Sequence, residues 1–103
     1  MSWGAVNVAA PRSAPLDAKR LDRFLGEVLW ADDRKAFRVK GAVFVAAAGV
    51  VSLVLVQGVY DAFDVTPFGD HDATVDESRL AFIGAGLDAD ALERGFRACV
   101  PGT

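Results

Sequence analysis

Residues 41–60, GAVFVAAAGVVSLVLVQGVY, decide the fold of this chain. The run carries no charge, and its polar side chains are Ser52 and Gln57. An apolar run of this length can cross a bilayer as a helix, or it can form a pair of buried strands. Val and Phe dominate, helix-favouring Leu occurs only twice, and Gly49 divides the run near its middle. The composition therefore predicts a buried β-hairpin with its turn at Ala48 and Gly49, and not a membrane span.

Segments on either side of this run predict two helices and further strands. Residues 3–9 and 79–83 favour short strands, and residues 66–78 favour a polar loop. Residues 16–30 and 87–100 favour amphipathic helices that begin after the N-cap residues Asp17 and Asp88. Both helices share the pattern L-D-A-x-x-L-x-R. The same residue preferences apply at the start of any helix, which explains the shared pattern. A β–α pseudo-repeat is the alternative.

The hairpin itself is expected to extend past its apolar run. Residues 37–40 alternate apolar and basic side chains, which predicts the start of a strand with one solvent-exposed face. Gly58 predicts a bulge or bend. Residues 59–65 are expected to continue the strand beyond it, with Asp61 and Asp64 turned outward.

The resulting order, β-α-β-β-(β)-β-α, predicts an α+β fold. We expect an antiparallel four- to five-stranded sheet with two helices packed on one face. The length of 103 residues predicts a single domain over residues 1–103.

Charge and cysteine content narrow the class of protein. The net charge is −3 and the isoelectric point is near 4.9, which disfavours general nucleic-acid binding. Residues 1–40 hold eight Lys or Arg against five Asp or Glu, and residues 41–103 hold three against nine. One cysteine cannot form an internal disulfide, and the first twenty residues lack the pattern of a secretory signal. We therefore expect a cytoplasmic protein with no membrane association.

Residues 84–89, GAGLDA, match the G-x-G-x-x-[GA] fingerprint of dinucleotide-binding proteins. The negative charge of Asp88 would repel a pyrophosphate at the helix N-terminus, and too few residues follow for a second strand. The match therefore predicts a structural turn. Cys99 follows Leu92 and Phe96 along the helical stripe, which predicts a small core residue and not a nucleophile.

Asp70, His71 and Asp72, together with Asp76 and Glu77, form the one cluster of metal-ligand type in the sequence. The spacing does not fit a calcium loop, and a lone histidine cannot build a structural zinc site. We interpret the cluster as a solvated acidic loop, and weak metal binding is the alternative. No catalytic, cofactor-binding or metal-binding residue is assigned.

Arg34, Lys35, Arg38 and Lys40 form the basic patch of the sequence. A solvated strand face explains it, and docking to an acidic protein surface is the functional alternative. These four residues are therefore the candidate protein-contact patch.

Four segments of the chain form a recognisable set: LDAKRLDRFLGEVLW (16–30), FRVKG (37–41), LVLVQGVYDAFDVTPFGD (53–70) and SRLAFIGAGLDADALERGF (78–96). In this order they resemble the C-terminal domain of the CobW-type GTPase metallochaperones, and the V-Q-G-V-Y-D variant is closest to the zinc-related branch. The resemblance implies an antiparallel sheet with helices that docks to a GTPase domain or to a client metalloprotein. GTP, magnesium and zinc would bind the separate GTPase domain of the family.

This sequence lacks the P-loop and the C-x-C-C motif of the full-length family. We therefore expect a non-catalytic module, either excised or separately encoded, with no cofactor of its own. The alternatives are a free-standing domain that self-associates into a homo-oligomer and a weak metal-binding protein that uses Asp70, His71 and Asp72.

Overall fold

A computed structural model describes residues 3–30, 36–60, 62–67 and 75–102. Within these ranges the chain forms six strands and two helices. In chain order they are β1 (Trp3–Pro11), β2 (Leu16–Asp17), α1 (Ala18–Trp30), β3 (Ala36–Ala47), β4 (Val50–Val59), β5 (Ala62–Pro67), β6 (Glu77–Ala85) and α2 (Ala89–Arg97). The α+β class, with an antiparallel sheet and two helices on one face, is confirmed.

The main sheet has the strand order β1-β6-β3-β4-β5, and all of its neighbours are antiparallel. The additional strand β2 pairs in parallel with the far end of β3, where Leu16 lies opposite Val45. The sheet thus has one strand more than the four or five predicted. Two residues directly before a helix give no periodic signal, so the sequence could not reveal β2.

The uncharged run is the β3–β4 hairpin, as its composition predicted. Ala47 pairs with Val50 across a two-residue turn, in which Ala48 and Gly49 have φ values of 51° and 79°. Two positive φ values match the type I′ turn that suits the right-handed twist of a hairpin. No helix among the described residues is long and apolar enough to cross a membrane.

Two predictions about the end of this hairpin are wrong. Gly58 forms no bulge, because the β3–β4 register runs unbroken through the Val39–Gly58 pair. A Cβ atom at Gly58 would lie 2.7 Å from Val39 Cγ1 and 3.2 Å from Leu29 Cδ1, so the glycine makes room for core packing. The strand also does not continue from 59 to 65. Tyr60 has a φ of 57°, and the chain reverses there into β5.

Asp64 points away from the helices and is exposed, as predicted, whereas Asp61 lies outside the described residues. The predicted loop at 66–78 is shorter at both ends, because Thr66 belongs to β5 and Ser78 to β6. Its central part, residues 68–74, lies outside the described ranges.

Both helices begin where the sequence predicts. The Arg20 backbone N–H donates to the Asp17 carboxylate at 3.0 Å, and the Ala91 N–H donates to the Asp88 carboxylate at 3.0 Å. The Asp17 N–H in turn donates to the Cys99 carbonyl at 2.7 Å, which ties the start of α1 to the end of the α2 segment. Each carboxylate satisfies a backbone donor that the first helical turn leaves unpaired.

The hydrophobic core lies between the helices and one face of the sheet. Phe24 of α1 meets Phe82 of β6 edge to face, with ring centroids 6.0 Å apart. This T-shaped contact is a favoured aromatic geometry. The core also contains the buried side chains of Val8, Leu16, Leu21, Leu25, Leu29, Val39, Val43, Val56, Leu80 and Phe96.

Candidate docking surface

The sheet has a second face that carries no helix from the described residues. Side chains alternate between the two faces of a strand, so the buried residues of each strand identify its core side and the remainder its other side. We call this other side the open sheet face. It consists of residues 5, 7 and 9 of β1, 79, 81 and 83 of β6, 38, 40 and 42 of β3, 55, 57 and 59 of β4, and 62, 64 and 66 of β5.

The centre of the open sheet face is basic. Arg38 and Lys40 both lie on β3, the middle strand, and both are exposed. Alternate residues of a strand are about 7 Å apart, so the two charges lie side by side. Neither forms an ion pair with another residue in the described parts of the chain. By contrast, Arg79 on the neighbouring strand pairs with Glu77.

Aliphatic side chains flank this basic centre. Arg38 lies between Ile83 of β6 and Val59 of β4, which are 39% and 49% exposed. Lys40 lies between Ala81 and Gln57 in the next row. The small Ala81 side chain leaves space, and a groove of about 350 Å³ runs between these side chains.

Toward the hairpin, one row of side chains on the same side is buried. Phe44 and Leu53, which are paired across β3 and β4, are 1% and 3% exposed. The Arg12 guanidinium lies 4.8 Å from the centre of the Phe44 ring, a cation–π contact. Arg12 also donates to the Val75 carbonyl from its side chain and to the Asp76 carbonyl from its backbone. Phe44 and Leu53 are therefore not accessible on this side, whereas Arg38 and Lys40 are.

Of the predicted contact patch, the structure brings Arg38 and Lys40 together, while Arg34 and Lys35 lie outside the described residues. Sequence reasoning missed Ile83 and Val59 as part of the same surface. The alternation in residues 79–83 carried the signal for Ile83, since it lies on the same side as exposed Arg79. Finding Val59 required the strand register.

The other candidate groups are structural or lie outside the described residues. Asp70, His71 and Asp72 are outside them, and no group of three or more possible metal ligands occurs among the residues that are described. The Asp88 carboxylate caps α2, so the GAGLDA segment is a strand-to-helix turn.

Cys99 is a core residue, as predicted. Its side chain is 2% exposed, and its thiol donates to the Gly95 carbonyl with Sγ and the oxygen 3.3 Å apart. Burial raises the pKa of the Cys99 thiol to about 11, against a partial lowering by the nearby Arg20 charge. The thiol is therefore neutral and inaccessible at physiological pH, the opposite of what a nucleophile requires.

Comparisons with known proteins agree with this architecture. The family model for the cobalamin synthesis protein cobW C-terminal domain matches residues 6–100. Among solved structures, a zinc-bound triple mutant of the YjiA GTPase is 23% identical with a TM-score of 0.70, and it aligns with 95% of this chain and 30% of its own. The zinc-bound YjiA GTPase from E. coli is 21% identical with a TM-score of 0.64, with coverages of 92% and 29%. No curated protein sequence matches.

The two kinds of comparison carry different weight. At identities below 25%, the likeness to YjiA establishes a shared fold, and this chain spans less than a third of the YjiA length. The family match covers nearly the whole chain, with most of β1, the other described strands, both helices and all of the open sheet face except Ala5 inside it. The chain therefore belongs to the cobW C-terminal domain family.

Proposed function

We propose that this chain is a non-catalytic docking module of a CobW-type metal-delivery GTPase. It holds the GTPase domain or a client metalloprotein, while GTP, magnesium and zinc bind the GTPase domain. The family match is the observation that carries this proposal. The YjiA structures support it, because this fold there occupies less than a third of a longer GTPase chain that binds zinc.

The surface of the module suits such a role. Helices cover one side of the sheet, whereas the open sheet face presents aliphatic and basic side chains to solvent. Fully buried groups such as Cys99 offer no accessible chemistry. The module works in the cytoplasm under this proposal, where a single reduced cysteine is expected.

Two measurements test the proposal. The purified chain should not hydrolyse GTP, and it should bind a separately expressed CobW-type GTPase domain from the same genome in titration calorimetry. GTP hydrolysis by the chain alone would contradict the non-catalytic role. Absence of binding both to that domain and to the clients copurified with it would contradict the docking role.

Self-association is the second candidate, and the β1 edge favours it. Residues 3–11 (WGAVNVAAP) carry no charge, and β1 pairs with β6 alone among the described strands. A long uncharged edge strand lacks the charges that usually prevent strand pairing between molecules. Sedimentation velocity decides this alternative, because a strict monomer across the micromolar range would remove it.

A further inference from the structure

We infer that the open sheet face binds an extended acidic segment of a partner polypeptide, with glutamate side chains at alternate positions. This inference rests on the proposed docking function and specifies its contact surface and partner chemistry. Arg38 and Lys40 supply the positive charge, and Ile83 and Val59 supply apolar contacts to the methylene groups of the glutamates.

The basic pair calls for an anionic partner. Both side chains are exposed on the central strand, and no acidic side chain of the described residues pairs with them. Asp64 is two strands away from Lys40, or about 10 Å at the usual strand spacing. Unpaired charges beside aliphatic surface gain most from a partner that brings opposite charge together with apolar area.

The spacing of the pair specifies an extended segment. Arg38 and Lys40 are alternate residues of one strand, so their side chains emerge about 7 Å apart in the same direction. Alternate residues of a second extended chain have the same spacing. A segment of the form Glu-x-Glu can therefore place one carboxylate on each cation, because both glutamate side chains point to the same side of the extended segment. The groove of about 350 Å³ beside Ala81 offers space for their methylene groups.

Other occupants fit less well. A second copy docked face to face through a two-fold axis would bring Arg38 and Lys40 against the same cations of the other copy. Nucleic acid requires a broader positive surface, yet the chain has a net charge of −3, Asp64 lies two strands from Lys40, and Glu77 lines the same pocket as Lys40. An acidic polypeptide satisfies both the charges and the aliphatic flanks.

The experiment uses the ¹⁵N-labelled chain and two capped peptides, Ser-Glu-Val-Glu-Ser and its Ser-Lys-Val-Lys-Ser counterpart. We expect the acidic peptide to shift the amide resonances of Arg38, Lys40, Gln57 and Ala81 and to leave those of α2 unchanged. The lysine peptide should shift none of them. Raising the NaCl concentration from about 50 to about 500 mM should weaken binding of the acidic peptide at least about fivefold, because salt screens exposed charges.

Matched variants separate local from general charge effects. The double variant R38E/K40E should bind the acidic peptide about tenfold or more weakly, whereas K19E/R94E should stay within about twofold of the unaltered chain. Both variants change the net charge equally, and K19E/R94E alters exposed helix residues instead. Circular dichroism would verify that each variant is folded.

With the peptide and DNA probes, three results would overturn the inference: no shift with millimolar acidic peptide, equal binding of the acidic peptide by R38E/K40E and the unaltered chain, or tighter binding of a 12-base-pair DNA duplex at the same amides. Binding to the CobW-type GTPase domain is measured in parallel. If that domain binds R38E/K40E as well as the unaltered chain, docking stands and this surface is wrong. If the GTPase domain binds neither R38E/K40E nor the unaltered chain, while the unaltered chain still binds the acidic peptide, the surface stands and the proposed GTPase docking fails.

Discussion

At the residue scale, the glycines of the sheet differ in whether the structure leaves room for a side chain at their position. A Cβ atom at Gly41 would overlap the Arg79 carbonyl oxygen in the neighbouring strand, whereas one at Gly4 would meet nothing within 4 Å. The obstruction at Gly41 is backbone, which cannot move without breaking the β3–β6 ladder. We therefore expect Gly41→Ala to lower the free energy of unfolding by about 2–3 kcal/mol.

Gly4→Ala is the control for this substitution, and it should change the free energy of unfolding by less than about 0.5 kcal/mol. Urea denaturation followed by circular dichroism measures both variants. Equal stability of the two variants would show that β3 and β6 do not approach as closely as the structure has them.

The buried thiol of Cys99 makes stability depend on alkaline pH. Its pKa rises from 9.0 to about 11 on folding because of burial, so the unfolded chain loses this proton at lower pH than the folded chain. Deprotonation then favours the unfolded state. The contribution is fully present below about pH 9 and is lost as pH rises toward 11, with a magnitude of about 2 kcal/mol.

We expect Cys99→Ala to lack this component. The difference in free energy of unfolding between the unaltered chain and Cys99→Ala should therefore shrink by about 2 kcal/mol between pH 8.5 and pH 11. Denaturant titrations at several pH values measure it, and lysine and tyrosine ionisation cancels in the difference. A constant difference over this range would refute the pKa shift.

At the element scale, the β3–β4 turn is suboptimal. Ala48 adopts a φ of 51°, which costs an ordinary L-residue about 1 kcal/mol, and asparagine tolerates this region better. Ala48→Asn creates the Asn-Gly pair that type I′ turns favour. It should raise the melting temperature by about 2–4 °C. Ala47→Asn, one residue earlier in the strand, should give no such gain in the same calorimetric scan.

The elements that the sequence predicted well are those whose signals are local. Asp17 and Asp88 mark helix starts through their own side chains, and Gly49 marks the hairpin turn. Gly58 was misinterpreted because a glycine in a strand has two causes, a bulge or a tight contact, and the contact with Leu29 depends on tertiary packing. The residue type of Tyr60 did not predict that the chain reverses there into β5, since a bulky residue rarely adopts positive φ.

The same distinction applies to the candidate surface. Arg38 and Lys40 were recognisable from the alternation along a single strand. Their neighbours Ile83 and Val59 come from two other strands, and the pairing register that brings them together is set by long-range packing. Sequence reasoning therefore found the charges of the surface and missed its aliphatic flanks.

At the scale of the whole molecule, an introduced charge should destabilise the protein on the core face of the sheet and have little effect on the open sheet face. Val8 and Ala9 are adjacent in β1, yet Val8 is 3% exposed in the core and Ala9 is on the open sheet face. Val8→Asp would bury an unpaired carboxylate and should cost several kcal/mol, a large part of the stability of a domain this size. Ala9→Asp, opposite Arg79, should change the free energy of unfolding by less than about 0.5 kcal/mol.

Urea denaturation and circular dichroism compare these two variants directly. Loss of folding in Val8→Asp with a native spectrum in Ala9→Asp is the expected result. Comparable damage in both would mean that the open sheet face is covered in the folded chain, which would also remove the docking surface.

The position of β1 in the sheet has a consequence for the synthesis of the protein. β1 lies well before its partner β6 in the sequence, and the register joins Trp3 to Ala85. On the ribosome, β1 therefore emerges long before the strand that will hold it. Its uncharged residues stay unpaired until β6 has been translated, and a nascent chain stalled before β6 is exposed to aggregation.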